Sequence, residues 1–304
     1  MNFKYRIIYI ILHYKTIEDT RKCIDSILGL EGCEEDAIVV VDNSCNISDT
    51  GKQLNKEYDK CSNFFYVPNY ENSSFSHGNN IGYRYAKSFG GGEFIVVTNS
   101  DTYFLQKDFY KRILRTWKKE KFHLCGPNII DPCYNIGTSP LAYNCLSEEE
   151  AQQDILHYQN EITNLFVESV SLQRIKNSGL RRCLRNIKNV FCEMGKFIRV
   201  KTTAPYPVLN GACLIFSWLF LEKNNSIFFP ETELYGEEQL LTYNCKQNNY
   251  RVIYSPHLKV MHVGGSSTRA DLANVKERKI KAYNRIIKAR EIYIEYINKD
   301  KYKT

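Results

Sequence analysis

Three apolar runs rich in β-branched residues constrain the fold of this 304-residue chain most strongly. They occupy residues 6–12, 37–41 and 93–98, and none alternates between apolar and polar side chains. Unbroken runs of this length are typical of parallel strands covered on both faces. Segments with helical periodicity separate them, so the pattern predicts an α/β fold with a mostly parallel, doubly wound sheet flanked by helices. The predicted helices span residues 16–28, 49–61 and 78–88, and a shorter strand spans residues 63–67.

The pattern changes after Pro132. Residues 147–170 and 174–200 have helical periodicity, and the second of these segments is basic. Core-like sequence returns near residue 205, and a long charged helix is predicted from Asp271 onward. We interpret the chain as a single domain with a helical insertion and a C-terminal helix. Its parts are residues 1–135, 140–202, 203–268 and 269–304, and the strands predicted in the third part span residues 251–254 and 259–265.

Composition excludes several classes of protein. A hydrophobic fraction of 43% and a charged fraction of 25% are those of a soluble globular protein. The net charge is +7, but no zinc-finger or RNP-like pattern accompanies the basic residues, so we expect no nucleic-acid partner. No apolar stretch approaches the ~18–20 residues needed to cross a bilayer. None of the 11 cysteines is spaced Cys-x-x-Cys, so we expect free thiols and a cytoplasmic location.

A polar cluster, Asn99-Ser100-Asp101, directly follows the third apolar run. Ligands of open α/β sheets bind just outside the carboxyl ends of the strands, so Asp101 is suitably located to hold Mg²⁺ or Mn²⁺ together with phosphates. His262 follows a late apolar run, and it would complete a mixed oxygen and nitrogen ligand set. Two alternatives remain open: Asp101 as a helix or turn cap, and His262 as a core residue.

Two adjacent acids, Glu237 and Glu238, follow Gly236 at a predicted helix start. A carboxylate there can act as a general base that accepts a proton from an alcohol. Adjacent helical residues point in different directions, so only one of the two would reach a ligand. The alternative is a solvated helix N-terminus, where acids are favoured by the helix dipole.

Aromatic and polar residues at the other predicted strand ends form a second group of candidates. Tyr14 could stack on a nucleobase, and Asp42 could accept its ring N–H; ordinary packing and capping are the alternatives. Residues 73–82 are rich in Ser, Asn and Gly and lead into a helix, which is typical of an anion site. The spacing matches neither a Rossmann dinucleotide site nor a P-loop.

Taken in order, these segments resemble family-2 glycosyltransferases with the GT-A fold, in the branch of rhamnosyltransferase-like and capsule or O-antigen enzymes. The similar motifs span residues ~6–268 and leave the basic segment and the C-terminal helix outside. They are Ile11-Leu12-His13-Tyr14, Val41-Asp42-Asn43-Ser44, Gly78-Asn79-Asn80-Ile81-Gly82, Thr98-Asn99-Ser100-Asp101-Thr102, Asn210-Gly211-Ala212, Gly236-Glu237-Glu238 and His262-Val263-Gly264-Gly265-Ser266-Ser267.

The resemblance implies a nucleotide-sugar site in residues 1–135 and an acceptor and catalytic half in residues 203–268. Tyr14 and Asp42 would hold the base of a nucleoside-diphosphate sugar. Asn79 or Asn80 would lie near its ribose or phosphates. The implied donor is a UDP- or dTDP-sugar, and the implied acceptor is a hydroxyl of a glycan or lipid-linked glycan in cell-surface polysaccharide synthesis.

The resemblance also assigns the metal site and the base. Asn99-Ser100-Asp101 is similar to the Asp-x-Asp motif of the family, with Asp101 as metal ligand and His262 as a further ligand of Mn²⁺ or Mg²⁺. Glu238 corresponds to the catalytic base of inverting members, with Glu237 as a rival. Two positions depart from the family pattern, because Asn99 replaces the first Asp and Glu238 stands where Asp is usual.

Three alternatives remain open at this stage. A nucleotidyltransferase of similar α/β form would carry a Gly-rich basic loop after the first strand, and residues 13–16 are not such a loop. A non-catalytic nucleotide-sugar-binding protein would keep the fold without turnover. The basic segment 174–200 either lies peripherally on the anionic inner face of the plasma membrane or packs as a solvated insertion.

Overall fold

A computed structural model describes residues 3–71, 73–133, 136–171, 204–264 and 275–301. The basic segment 174–200 and residues 265–267 of the last motif therefore lie outside the described residues. One mixed sheet of nine strands organises the described part, in the order β3-β2-β1-β4-β8-β6-β9-β5, with β7 paired to β6. Helices flank this sheet, so the predicted α/β class is confirmed.

The first half of the sheet is parallel, as the apolar runs predict. Its strands are β1 (Tyr5–His13), β2 (Ala37–Asp42), β3 (Phe64–Pro68) and β4 (Gly92–Asn99), and its helices are α1 (Ile17–Leu28), α2 (Thr50–Glu57) and α3 (Phe75–Ser88). Each strand begins and ends within one residue of its predicted bounds. Helix α3 starts earlier than predicted because the Ser74 hydroxyl accepts a hydrogen bond from the His77 amide and caps the helix.

The second half of the sheet is mixed. Its strands are β5 (Thr102–Phe104), β6 (Leu124–Asp131), β7 (Ile136–Gly137), β8 (Cys213–Ser217) and β9 (Val252–His262). Strand β8 runs antiparallel to both of its neighbours, β4 and β6. The two strands predicted at residues 251–254 and 259–265 form one strand, β9. Its register against β6 shifts after Ser255, next to Pro256, and this irregularity explains why the sequence suggests a break.

Five further helices complete the described part of the chain. They are α4 (Phe109–Glu120), α5 (Glu148–Ser171), α6 (Trp218–Leu221), α7 (Glu237–Gln247) and α8 (Val275–Lys301). Helices α5 and α8 pack side by side and antiparallel, since Tyr158 contacts Tyr283 while Asp154 pairs with Arg290 further along α8. None of the helices in these ranges combines the length and apolar character that a bilayer crossing requires.

Two apolar cores cover the two faces of the sheet. Side chains alternate along β1, so that Ile7, Tyr9 and Ile11 enter one core while Ile8 and Ile10 enter the other. All five are fully buried, which explains the unbroken apolar sequence of this strand. In β1 and β2 the charged and ionisable side chains, Arg6, His13 and Asp42, lie at or next to the strand ends, and the carboxyl ends of these strands contribute to the candidate site.

Candidate active site

The carboxyl ends of β1, β2 and β4 lie at one edge of the sheet. His13 is in register with Asp42, and Leu12 is in register with Asn99. The segments that follow these strands are therefore neighbours, although up to 86 residues of sequence separate His13 from Asn99. This edge collects most of the polar residues that the sequence singles out.

Asp101 and His262 are in direct contact. Their separation along the chain is bridged by the pairing of β5 with β9, in which Thr102 is opposite His262. The Val263 amide also donates a hydrogen bond to the Asp101 carbonyl at 3.1 Å. As a result, Asp101 Oδ1 lies 3.0 Å from His262 Nε2, and both side chains are largely buried.

The same imidazole nitrogen contacts Asn99, whose Nδ2 lies 3.3 Å from His262 Nε2. An amide donor needs a lone pair on Nε2, whereas the Asp101 carboxylate needs a positive centre there. A proton or a metal cation between Asp101 and His262 satisfies the carboxylate. The three side chains that the sequence groups around the metal motif are thus brought together.

The donor set fits Mg²⁺ or Mn²⁺. Two adjacent ligands of an octahedral cation with bonds of about 2.1 Å are about 3.0 Å apart, as Asp101 Oδ1 and His262 Nε2 are. Among the described residues, no group of three or more His, Cys, Asp or Glu side chains is arranged to hold a metal. A two-ligand site is nevertheless typical of Mg²⁺ that is shared with substrate phosphates.

Glu238 lies in the first turn of α7 and reaches the loop before β8. Its Oε1 accepts a hydrogen bond from the Gly211 amide at 3.3 Å. A Cβ atom at residue 211 would stand only 2.9 Å from that oxygen, so a side chain there would displace the Glu238 carboxylate. The next residue, Ala212, accepts hydrogen bonds through its carbonyl from the Asn99 amide and the Thr102 hydroxyl. The loop that contacts Glu238 is therefore hydrogen-bonded to Asn99 and Thr102, on either side of Asp101.

Glu237 and Glu238 differ in exposure, as expected for adjacent helical residues. Glu237 is only 4% exposed, and its Oε2 accepts a hydrogen bond from the Thr232 hydroxyl at 3.2 Å. Burial, together with the charge of Glu238, raises the pKa of Glu237 well above its ordinary value. Glu238 is partly exposed, and burial of its carboxyl raises its pKa as well. Of the two acids, Glu238 is the one with access to the surface.

Asp42 is fully buried and satisfied within the protein. Its Oδ1 accepts hydrogen bonds from the amide and hydroxyl of Ser44, both at 2.9 Å, and its Oδ2 accepts one from the Tyr66 hydroxyl at 2.8 Å. Burial and this contact raise the pKa of Tyr66. Because the Asp42 side chain is 0% exposed, a contact between Asp42 and a nucleobase requires the residues that cover it to move. Tyr14 is half-buried, and the Lys15 ammonium lies 4.8 Å from the centre of its ring.

The two asparagines of α3 have separate environments. Asn80 uses its whole amide to hold residues 227–231: Oδ1 accepts from the amides of Ile227 and Phe228, and Nδ2 donates to the Phe228 carbonyl and to Glu231. The Asn80 amide is therefore engaged within the protein on both its oxygen and its nitrogen. Asn79 is also buried, and its Oδ1 has no hydrogen-bond partner in the described part of the chain.

Two contributors to the site escape sequence reasoning. Tyr66 lies within a short, partly buried strand, and nothing in its sequence context marks it as the partner of Asp42. Arg290 lies on α8, outside the motifs, yet it reaches the N-terminus of α7. Only the pairing of distant elements brings either residue to the site.

Comparisons with known proteins identify the family and the fold. The sequence model of the family described as glycosyl transferase family 2 matches residues 9–192. No curated protein sequence gives a significant match. The fold is similar to that of a fragment, residues 1–349, of TarS from S. aureus, with a TM-score of 0.54 and 14% identity. That match covers 93% of this chain and 71% of the other.

Two further solved structures contain bound nucleotides. The same TarS fragment in complex with UDP-GlcNAc matches with a TM-score of 0.54 and 14% identity, over 94% of this chain and 66% of the other. The mannosyltransferase PcManGT from Pyrobaculum calidifontis, in complex with GDP-Man and Mn²⁺, matches with a TM-score of 0.53 and 14% identity, over 94% and 70%. At such identities these likenesses describe the fold alone.

Proposed function

The chain belongs to glycosyl transferase family 2, and from that premise we propose that it is an inverting, metal-dependent glycosyltransferase. In this proposal it moves a hexosyl or rhamnosyl group from a UDP- or dTDP-sugar to a hydroxyl of a glycan or lipid-linked acceptor. The product belongs to a cell-surface polysaccharide. Residues 1–135 bind the donor, and residues 203–268 supply the base and the acceptor side.

One observation carries the proposal. The Glu238 carboxylate accepts a hydrogen bond from the Gly211 amide. The carbonyl of the next residue, Ala212, accepts hydrogen bonds from Asn99 and Thr102, which flank the metal ligand Asp101 in the sequence. Transfer from a nucleotide sugar needs a cation near the leaving diphosphate and a base near the incoming hydroxyl. Linking the two through adjacent backbone groups fixes the distance between them.

Asp101 and His262 are the residues that hold the cation in this proposal, with Asn99 beside them. A divalent cation bound there offsets the negative charge that develops on the departing diphosphate. The protein's part is to bind and orient the donor, and Tyr14 is proposed to stack on its base. Neighbours of similar fold bind UDP-GlcNAc, UDP or GDP-Man, so the donor class is tested across these nucleotides.

Glu238 is the proposed base, rather than its neighbour Glu237. The accepting group must reach the acceptor hydroxyl, and Glu237, at 4% exposure, does not. A raised pKa makes the Glu238 carboxylate a stronger base, because a carboxylate of higher pKa takes up a proton more readily. A single displacement with this one base and no covalent nucleophile gives inversion at the anomeric carbon.

A thermal-shift panel tests the donor class first. UDP, dTDP, GDP, ADP and NAD are each added with and without Mn²⁺. We expect stabilisation by UDP or dTDP that depends on Mn²⁺ and is lost in Asp101→Ala. Stabilisation by NAD, or by none of the nucleotides, would contradict the proposal.

Glu238→Gln tests the base. The amide keeps the shape of the side chain and the contact with the Gly211 amide, but it does not accept a proton. We expect transfer to fall by about 10²–10⁴-fold while the nucleotide-dependent thermal shift is retained. Unchanged transfer would overturn the base assignment, and a parent protein that binds but does not transfer would favour the non-catalytic alternative.

Peripheral membrane contact from a cytoplasmic location is the remaining part of the proposal. Its support is the basic composition of residues 174–200, which lie outside the described residues. Flotation with anionic liposomes at low salt is the measurement. Recovery with the liposomes supports peripheral contact, and recovery in the soluble fraction alone removes it.

A further inference from the structure

Arg290 is the charged side chain that α8 brings to the start of α7. Its Nε donates to Asp154 Oδ2 on α5 at 3.0 Å, and its side chain is only 14% exposed. Its Nη1 lies 3.5 Å from the position that a Cβ atom at Gly236 would take. The guanidinium is therefore held by α5 beside the residue that precedes Glu237 and Glu238.

At this location, the positive charge of Arg290 reduces the cost of ionising the two acids in the first turn of α7. Two adjacent carboxyls lie there in poorly solvated positions, and burial raises the pKa of both. The charge of Arg290 opposes this effect and lowers the pKa of Glu237 and of Glu238. Without an opposing charge, the pKa of the Glu238 carboxyl would be raised further.

The other titratable groups near Glu238 do not replace Arg290. Tyr235 precedes the turn, and burial raises the pKa of its phenol, which keeps it neutral. Arg285 of α8 is engaged with Glu233, at 2.7 Å. The loop before β8 contributes the neutral Gly211 amide, and Glu237 adds a charge of the same sign.

We propose that Arg290 is a positioning residue for the Glu238 base, and that Asp154 orients it. In this arrangement α8 provides the positive charge of Arg290 near Glu237 and Glu238, and it also packs against Gly236. Helix α8 therefore contributes to the environment of the first turn of α7. The inference rests on the proposed function, because it assigns Arg290 a task in the ionisation of the proposed base.

A stability experiment tests the charge interaction without any donor. Thermal unfolding midpoints are measured from pH 5.5 to 8.5 for the wild type and for the single variants Arg290→Gln and Arg290→Lys. The same measurement is made on the double variant Glu237→Gln/Glu238→Gln, with and without the additional change Arg290→Gln. We expect Arg290→Gln to cost more stability at pH 8.5, where the acids are ionised, than at pH 5.5. A pKa change of about one unit corresponds to about 2 °C in a chain of this size.

The combined variants identify the partner of Arg290. If Glu237 and Glu238 are the partners, the pH-dependent part of the stability loss caused by Arg290→Gln disappears when both acids are glutamine. Arg290→Lys, which keeps the positive charge, should retain part of the pH-dependent stabilisation. Asp154→Asn with and without Arg290→Gln is the matched control, since it removes the contribution of the Arg290–Asp154 pair. A loss that is independent of pH, or one that persists without the two acids, overturns the proposal.

The pH profile of transfer then connects the charge to function, using the donor identified by the nucleotide panel. We expect Arg290→Gln to move the acidic limb of kcat to higher pH, so that the fold loss of transfer is larger at pH 6 than at pH 9. KM for the donor stays within about twofold, and Arg290→Lys restores part of the limb. An unmoved limb refutes the role of Arg290 even if Glu238→Gln abolishes transfer, whereas full transfer by Glu238→Gln refutes the proposed base instead.

Discussion

Asn79 and Asn80 are adjacent, buried residues of the same type that differ in how many hydrogen bonds their side-chain amides make. Asn80 satisfies two amides of residues 227–228, so Asn80→Ala leaves both buried amides without an acceptor. We expect a loss of about 3 kcal/mol in the free energy of unfolding. Asn79→Ala removes a single donated hydrogen bond, to the Phe75 carbonyl, and should cost about 1 kcal/mol. Urea titration of both variants measures the difference, and equal losses would contradict the assignment of Asn80 to the loop.

The burial of Glu237 leads to a second prediction at the scale of one residue, about how stability depends on pH. Its pKa in the folded state is raised, so the unfolded chain ionises first as the pH rises. The contribution of this residue to stability is therefore fully present below the ordinary pKa of a glutamate and is lost as the pH rises through the raised value. Glu237→Gln does not titrate. We expect the unfolding midpoint of the variant, relative to the wild type, to increase from pH 4.5 to pH 8. Glu222→Gln, at an exposed position, is the control and should show no such trend.

At the scale of secondary-structure elements, the contact between α7 and α8 depends on Gly236. Its φ of 85° is in the left-handed region, and a Cβ there would come within 2.7 Å of the Ala289 Cβ. Gly236→Ala therefore carries both backbone strain and a clash between two helices, and we expect a cost of about 2–3 kcal/mol together with a lower kcat.

Gly91 offers a matched control for this prediction. Its φ of 64° is also left-handed, but a Cβ there would have no neighbour within 4 Å. Gly91→Ala should cost about 1 kcal/mol through strain alone and leave transfer unaffected. Chemical denaturation of the two variants separates the terms. Equal costs would mean that the packing of α8 against Gly236 contributes nothing.

At the scale of the whole molecule, the sequence predicts the parallel half of the sheet well because three of its four strands are buried on both faces. The residues of β1, β2 and β4 show this burial in their own composition, whereas the edge strand β3 is only partly buried. The mixed half is harder, since β5 and β7 are very short and β8 is inserted antiparallel between β4 and β6. The candidate site divides in the same way. Its strand-end residues can be found from sequence, whereas Tyr66 and Arg290 depend on partners that are distant along the chain.

The central position of β8 also makes the unfolding of the two halves interdependent. It pairs with β4 on one side and β6 on the other, so strands of both halves depend on β8 for their hydrogen bonds. The chain has two tryptophans, Trp117 and Trp218, whose ring centres lie 6.0 Å apart beside this junction, so their fluorescence reports on it. We expect fluorescence and far-ultraviolet circular dichroism, which reports all helices including α5 and α8, to give one shared thermal midpoint. Two midpoints, with fluorescence changing first, would mean that the helices outlast the sheet junction and that the halves unfold independently.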